Sequence, residues 1–412
     1  MNLILDITRF VSRFTMGHDT GIDRVMRAAV LDALDRCENP YFVYRSKRVH
    51  FLFDRHGMQR LLRMSETNQW QRARGIDRLR FKRTKLFRRI LTSMRDLALM
   101  QARLAEIITN LRGQFDGPFT YFNPSHSNLS DSTMSDLKAG KCDRVMVMIH
   151  DVIPIDFPEF CNPEVSQRFD RMLGNVAKYA DQIICNSEYT EACVQRVIRV
   201  KNPRSVCETS VHYLVHTVPD LDSVMALHIN DRPSFLCLGT IEPRKNIQML
   251  LNIWENYGKT LPTADIPNLL LVGKRGWETQ EFFHSLDNHP MRGQHIFEYN
   301  NFSDQQVASA LKASKALLFP SYVEGFGLPA IEALACGRDV ICSDIPVFQE
   351  ILPRSGEFIP ATAQNRWAET ILRYASKNNT RTVDPVFTDM PAFVINWTHF
   401  FNSVYSNHRS YD

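Results

Sequence analysis

The chain has 412 residues, 44% of them apolar and 23% charged, with a formal net charge of +4. That length exceeds one ordinary hydrophobic core and implies two domains, while so small a charge gives no case for nucleic acid as a partner. Nine cysteines run from Cys37 to Cys342 with no C-x-x-C pair, a pattern of reduced thiols in a cytosolic protein rather than of a disulfide framework or zinc site.

The opening M-N-L-I-L-D-I-T-R-F has no basic leader and is not expected to be a signal peptide. No window reaches the roughly 18 apolar residues of a spanning helix. Residues 2–8 alternate as a short strand. A glycine-bearing loop, G-H-D-T-G-I-D-R-V from Gly17 to Val25, leads into helical spacing through Ile22, Val25, Met26, Ala29, Val30, Ala33 and Leu34. Strands are expected at 41–45 and 50–53. Between Arg72 and Arg95 there are ten Lys/Arg residues, with Leu86, Ile90, Met94 and Leu97 at helical spacing. This basic amphipathic segment reads either as a helix for an anionic membrane surface or partner, or as a packed helix with a solvated face. Residues 65–112 thus look like an insertion. The alternation resumes with strands at 119–122 and 144–149, and the second runs into His150-Asp151-Val152-Ile153-Pro154. A histidine there sits where α/β folds place ligands, although hydrogen bonding to backbone is the commoner fate of a lone histidine. Helix 164–179, strand 182–185, helix 188–199 and strand 211–215 complete this half, and Ser187 is positioned to cap its helix.

The polar stretch from Pro219 to Pro233 reads as a linker. Beyond it, strands at 234–238, 268–272, 295–299, 315–319 and 339–342 alternate with helices near 245–257, 278–287, 303–313 and 329–336, followed by a helix at 364–376. This is the pattern of a doubly wound parallel sheet. The expected division is therefore a domain over 1–222, a second over 223–385, and a helical tail over 386–412 that is free to pack on the first.

Three turns of the second domain follow strand carboxyl ends and so share one sheet edge. They are Gly239-Thr240-Ile241-Glu242-Pro243-Arg244-Lys245-Asn246, Val272-Gly273-Lys274-Arg275-Gly276-Trp277, and F-P-S-Y-V-E-G-F-G-L-P-A-I-E from Phe319 to Glu332. Two cations at the first and a helix N-terminus at the third suit a diphosphate. Glu324 and Glu332 are then available for the hydroxyls of a sugar. The sequence has no G-x-x-x-x-G-K-[ST], which excludes a P-loop nucleotidase, and no G-x-G-x-x-G between a first strand and helix. A metal-holding D-x-D is wanting too, since Asp220-Leu221-Asp222 lies in the linker. No metal or other cofactor is therefore expected, and Arg244, Lys245 and backbone amides are left to neutralise the diphosphate.

The E-x7-E spacing in E-G-F-G-L-P-A-I-E, preceded by F-P-S and, upstream, by G-T-I-E-P-R-K-N and L-V-G-K-R-G-W, resembles the signature of retaining family-4 glycosyltransferases. T-G-I-D-R-V and I-H-D-V-I-P resemble bacterial members that build surface polysaccharides, often mannosyltransferases. The resemblance implies the GT-B plan, two Rossmann-like domains facing each other across a cleft. It assigns Arg244, Lys245, Gly239, Thr240, Gly273, Lys274 and Ser321 to the donor side, with Glu324 at the donor sugar and Glu332 at the ribose. Gly325, Phe326, Gly327 and Leu328 would lie under sugar and phosphate, Gly17 and Gly21 would close the site, and His150 would stand beside donor and acceptor. Asp23 stands where many relatives have a second glycine. The implied co-substrate is a nucleoside diphosphate sugar, GDP-mannose first. The implied acceptor is a hydroxyl of a surface glycan, itself lipid-linked, and the implied location is cytoplasmic, at the inner face of the plasma membrane. Retaining transfer by front-side attack follows from the same resemblance. A catalytically silent sugar-nucleotide-binding subunit and a sugar-nucleotide epimerase remain as other readings.

Overall fold

A computed structural model describes residues 2–15, 21–46, 49–78, 83–127, 129–215, 224–277, 279–352, 356–376 and 397–406. Two sheets organise these residues. The first comprises β1 (Asn2–Asp6), β2 (Asn39–Tyr44), β3 (His50–Phe53), β4 (Met100–Ala102), β5 (Phe119–Asn123), β6 (Arg144–Ile149), β7 (Gln182–Cys185) and β8 (Glu208–Val211), in the order β4-β3-β2-β1-β5-β6-β7-β8. The second comprises β9 (Ser234–Leu238), β10 (Asn268–Val272), β11 (Ile296–Tyr299), β12 (Ser314–Phe319), β13 (Asp339–Ser343) and β14 (Gly356–Ile359), in the order β11-β10-β9-β12-β13-β14. Every pairing in the second sheet is parallel. In the first, β2 with β3 and β3 with β4 are antiparallel. Strand order reverses between β1 and β5 and again between β9 and β12, and such switch points open crevices at the strands' carboxyl ends. Every residue of β1, β5 and β10 is buried, as expected of central strands covered by helices on both faces.

Local chemistry fixes the places where strands stop. β1 ends at Asp6, whose Oδ1 accepts from Thr8 N at 2.8 Å. The same carboxylate receives the Arg45 guanidinium and the Tyr121 hydroxyl, so a buried ion pair ties β1, β2 and β5 together. The strand expected at 211–215 lies instead at Glu208–Val211. Leu214 and Val215 are buried core residues beyond the strand, and the sheet edge is taken by the polar E-T-S-V, which solvent tolerates better.

The basic segment is woven into the first sheet. Its helix, Lys85–Leu97, begins at the Thr84 cap and buries Ile90, Leu91 and Met94, and the chain then adds β4 to the sheet edge. Several of its cations turn inward. Arg89 Nε donates to Gln71 O at 3.2 Å, Arg88 to Arg78 O at 3.1 Å, and Arg95 pairs with buried Asp77 at 3.2 Å. Among the described residues no helix is long and apolar enough to cross a membrane. All nine cysteines are free thiols.

After the second sheet the chain returns to the first half. Helix Trp397–Ser406 packs on helix Gly21–Arg36, with Phe400, Phe401 and Val404 fully buried. Its ring ladder runs Trp397, Phe400, Phe401, Tyr405 and on to Phe122 of β5. Removing a buried phenyl ring costs roughly 3–5 kcal/mol in transfer and cavity energy. Phe400→Ala should lower the stability of the intact chain by that amount in urea unfolding followed by tryptophan fluorescence. A change below about 1 kcal/mol would mean that the helix merely rests on the surface.

Candidate active site at the facing sheet edges

The turns after β9, β10 and β12 meet at the second switch point. Gly239 (φ +131) and Gly273 (φ +153) occupy backbone that side chains rarely adopt. A Cβ on Gly273 would lie 2.0 Å from Gly239 O, so only glycine lets these two turns touch. Lys245 Nζ lies 3.4 Å from the Cβ position of Gly239 and 4.5 Å above the Phe319 ring. The turn after β10 is braced by Ile241 N donating to Lys274 O at 2.8 Å, and a Cβ on Gly276 would lie 2.6 Å from Thr240 Cγ2.

Glu324 is the centre of this arrangement. Its carboxylate is met by Arg244 Nη1 at 2.6 Å, Lys245 Nζ at 2.6 Å and Ser321 Oγ at 2.8 Å. Glu324 and Lys245 are both buried, and Arg244 also reaches Glu242 at 2.6 Å and Val323 O at 3.1 Å. Burial alone would raise the Glu324 pKa, but Arg244 and Lys245 overcome it and hold the group down at about 2. Burial lowers the Lys245 pKa while Glu324 opposes the fall, and Arg244 is held above its ordinary value by Glu324 and Glu242 against burial. Two cations, Arg244 and Lys245, are thus fixed between the buried Glu324 carboxylate and that of Glu242. Gly327 (φ +108) then opens helix Leu328–Ala335, with Pro329 in its first turn. Among the described residues no three His, Cys, Asp or Glu side chains are grouped to hold a metal.

The first half closes over this turn through backbone. A Cβ on Gly325 would fall 2.3 Å from His150 O and 2.8 Å from Asp151 Cβ. Ser187 Oγ and Thr190 Oγ1 donate to Gly325 O at 3.2 and 3.1 Å. A further carboxylate, Glu350, accepts from Glu188 N and Tyr189 N at 2.7 and 3.0 Å, capping helix Glu188–Lys201 from the opposite half. Phe160 of the first half stacks on Tyr322, centroids 5.4 Å apart. A Cβ on Gly21 would lie 3.3 Å from Leu328 Cδ1, and Phe326 is buried against Tyr213. Gly17 lies outside the described residues.

Two of the expected site residues are engaged in ways the sequence did not indicate. Glu332 is buried and receives the Arg24 guanidinium from the first half, and burial outweighs that pairing and leaves its pKa raised. The His150 ring is buried, with Nε2 bonding Pro124 O at 2.8 Å, and burial lowers its pKa to about 4. His150 is therefore neutral near pH 7, and its backbone carbonyl, not its ring, meets the glycine turn. Asp23, the departure from the family pattern, is a buried anchor for Arg9 at 2.7 Å and Arg13 at 3.2 Å. Arg24, Ser187, Thr190 and Glu350 escaped sequence reading as site residues. Only Arg24, inside T-G-I-D-R, lay in a motif that could have drawn attention to it.

Comparisons with known proteins agree with this geometry. Residues 224–383 match the family model described as Glycosyl transferases group 1. Over 237 residues, 54% of this chain and 29% of the other, the sequence is 30% identical to the serotype-specific mannosyltransferase WbdA of Escherichia coli. It is 24% identical over 222 residues to the O-antigen chain mannosyltransferase B of the same organism, covering 52% of this chain and 57% of the other. The chain thus spans under a third of the length of the WbdA proteins it matches. The solved structure of the lipopolysaccharide outer core galactosyltransferase WaaB superposes with a TM-score of 0.57 at 14% identity, covering 99% of this chain and 100% of the other. The trehalose-6-phosphate synthase OtsA gives 0.58 at 12%, covering 98% of each. The fold is GT-B. Its second half is similar to the Glycosyl transferases group 1 family, and about half of the chain is similar to mannosyltransferases of O-antigen assembly.

The Glu324 cluster yields a stability prediction with a definite sign. Because the folded pKa is depressed from 4.5 to about 2, its contribution is full above pH 4.5 and is lost as pH falls toward 2. Glu324→Gln strands the buried Lys245, leaves the half-buried Arg244 with Glu242 alone, and should cost roughly 3 kcal/mol at pH 7, with the deficit shrinking as pH drops through 4, measured by urea unfolding at several pH values. A pH-independent deficit would contradict the pairing. Separately, Gly325→Ala must push His150 O away, so small-angle scattering should show a larger radius of gyration. An unchanged radius would show that the two halves do not rely on this contact.

Proposed function

We propose that the protein is a metal-independent, retaining hexosyltransferase that moves mannose from GDP-mannose to a hydroxyl of a growing, lipid-linked surface glycan. The observation that carries this reading is the buried Glu324–Arg244–Lys245 cluster, set at a sheet switch point beside a helix N-terminus. The similarity of half the chain to mannosyltransferases of O-antigen assembly supports mannose as the sugar.

In this reading the donor diphosphate lies over Arg244 and Lys245 and the amides opening helix Leu328–Ala335. Positive charge held in advance at the leaving group stabilises the transition state without reorganisation. Glu324 stays ionised at any working pH, which rules it out as a general acid. Its role is to hold the two cations and to accept from donor-sugar hydroxyls, while Glu332 takes a ribose hydroxyl alongside Arg24. The bond from the anomeric carbon to the diphosphate oxygen breaks as the acceptor oxygen bonds the same face. The acceptor proton passes to the departing phosphate oxygen.

The test is a panel of nucleoside diphosphate sugars incubated with acceptor, scored by nucleoside diphosphate release and by the anomeric configuration of the product, with and without EDTA. GDP-mannose should be turned over to an α-linked product at a rate that EDTA leaves unchanged. Lys245→Ala should reduce kcat by about 10²–10³, the loss typical of removing a charge-stabilising donor, while keeping its fold by circular dichroism. Near wild-type turnover in that variant would overturn the assignment.

A further inference from the structure

The carboxyl edge of the first sheet opens into a cavity of about 2140 Å³ that the donor site does not use. It lies at the switch point between β1 and β5, where Thr8 and Arg9 follow one strand and His126 and Ser127 the other. Its charge is lopsided. Among the described residues seven arginines line it, with three aspartates and neither lysine nor glutamate. Arg9 and Arg13 are held by Asp23 and Arg45 by Asp6, while Asp131 is matched by Lys178. Arg83, Arg103, Arg168 and Arg171 remain, and none of them forms an ion pair with a described residue. Facing them are Asp136 and Asp151, and burial raises the pKa of Asp151. His50 and His126 add no charge near pH 7, since burial lowers both.

Arg168 and Arg171 stand one turn apart on helix Pro163–Tyr179, both exposed and both lining the cavity. Residues three apart on a helix share a face. Arg83 enters from the stretch before helix Lys85–Leu97, its guanidinium 5.2 Å above the Phe87 ring. Beside these cations the walls are apolar, with Phe87 and Leu91 on one side and Val165 and Met172 on the other. The basic helix, read from sequence either as a surface for a membrane or partner or as a packed helix, also forms a wall of this cavity. Like charges collected in a cavity repel one another and do nothing for folding, whereas an anion entering between them would be gripped. Guanidinium forks match phosphate oxygens two at a time.

We propose that this cavity is the acceptor subsite and that it recognises a phosphate ester on the acceptor through Arg83, Arg168 and Arg171, with the apolar walls taking an alkyl chain. The inference rests on the glycosyltransferase reading for the word acceptor, but its test does not require transfer. Calorimetric titration of the whole protein compares mannose 1-phosphate, its decyl phosphodiester and the neutral decyl mannoside. The phosphodiester should bind at least tenfold tighter than the neutral glycoside, and the gap should narrow with salt. Arg168→Gln with Arg171→Gln, on an exposed helix face, should abolish that preference and leave neutral binding unchanged. If transfer is also measured, the double variant should raise the acceptor KM about tenfold and leave the donor KM alone. Tighter binding of the phosphodiester than of mannose 1-phosphate assigns a lipid-type acceptor, and equal binding a soluble sugar phosphate. Equal affinity for charged and neutral probes, or a preference that survives even when Arg83→Gln is added, would overturn the proposal. A donor panel that fails while phosphate binding persists would overturn the proposed reaction and leave the subsite standing.

Discussion

Everything at the carboxyl edge of the second sheet depends on one buried carboxylate being kept charged. Stripping water from Glu324 is unfavourable, and Arg244 and Lys245 repay that only because both stand 2.6 Å away. Their positions depend on a 3-10 turn after β9, on glycine at 239 and 273 so that adjacent turns can touch, and on the Phe319 ring beneath the ammonium. The β-sheet supplies rigidity, the glycines supply closeness, and the ion cluster fixes the positions of the charges at the edge.

The same cluster is linked to the other half of the molecule by backbone. His150 contributes a carbonyl at the Gly325 turn, and Ser187, Thr190 and Glu350 make hydrogen bonds that exist only when the halves meet. Arg24 and Glu332 add an ion pair across the same divide. These polar contacts sit beside apolar ones, Phe160 on Tyr322 and Tyr213 on Phe326, and a continuous cluster of buried apolar residues runs through both halves.

Much of the second sheet was legible because its strands are apolar runs punctuated by glycine and polar turns, and the periods of two and 3.6 changed cleanly. The β9, β10, β12 and β13 boundaries fall within a residue of expectation. The Glu324 turn was legible because carboxylates and cations cluster in sequence-local motifs. The first half was harder. Its 72–95 charge run reads as surface, and nothing local shows that Arg89 will seek Gln71 O or that Arg95 will seek Asp77. β8 was displaced toward V-H-Y-L-V because an apolar run can be buried without being a strand. Arg24 and Glu350 act across the two halves, and a partner 160 or 300 residues distant leaves no trace in periodicity.

The final helix gives the molecule an unusual mechanical character. The chain leaves the first half after β8, builds the whole second sheet, and comes back to bury Phe400 and Phe401 against helix Gly21–Arg36. Two bodies joined by one tether can swivel about any axis. Joined by two crossings, like a door on a pair of hinges, they are confined to motions that keep both crossings intact. Helix Trp397–Ser406 is, in that sense, a bearing: packed on helix Gly21–Arg36 and against Phe122, it adds a second attachment between the two bodies.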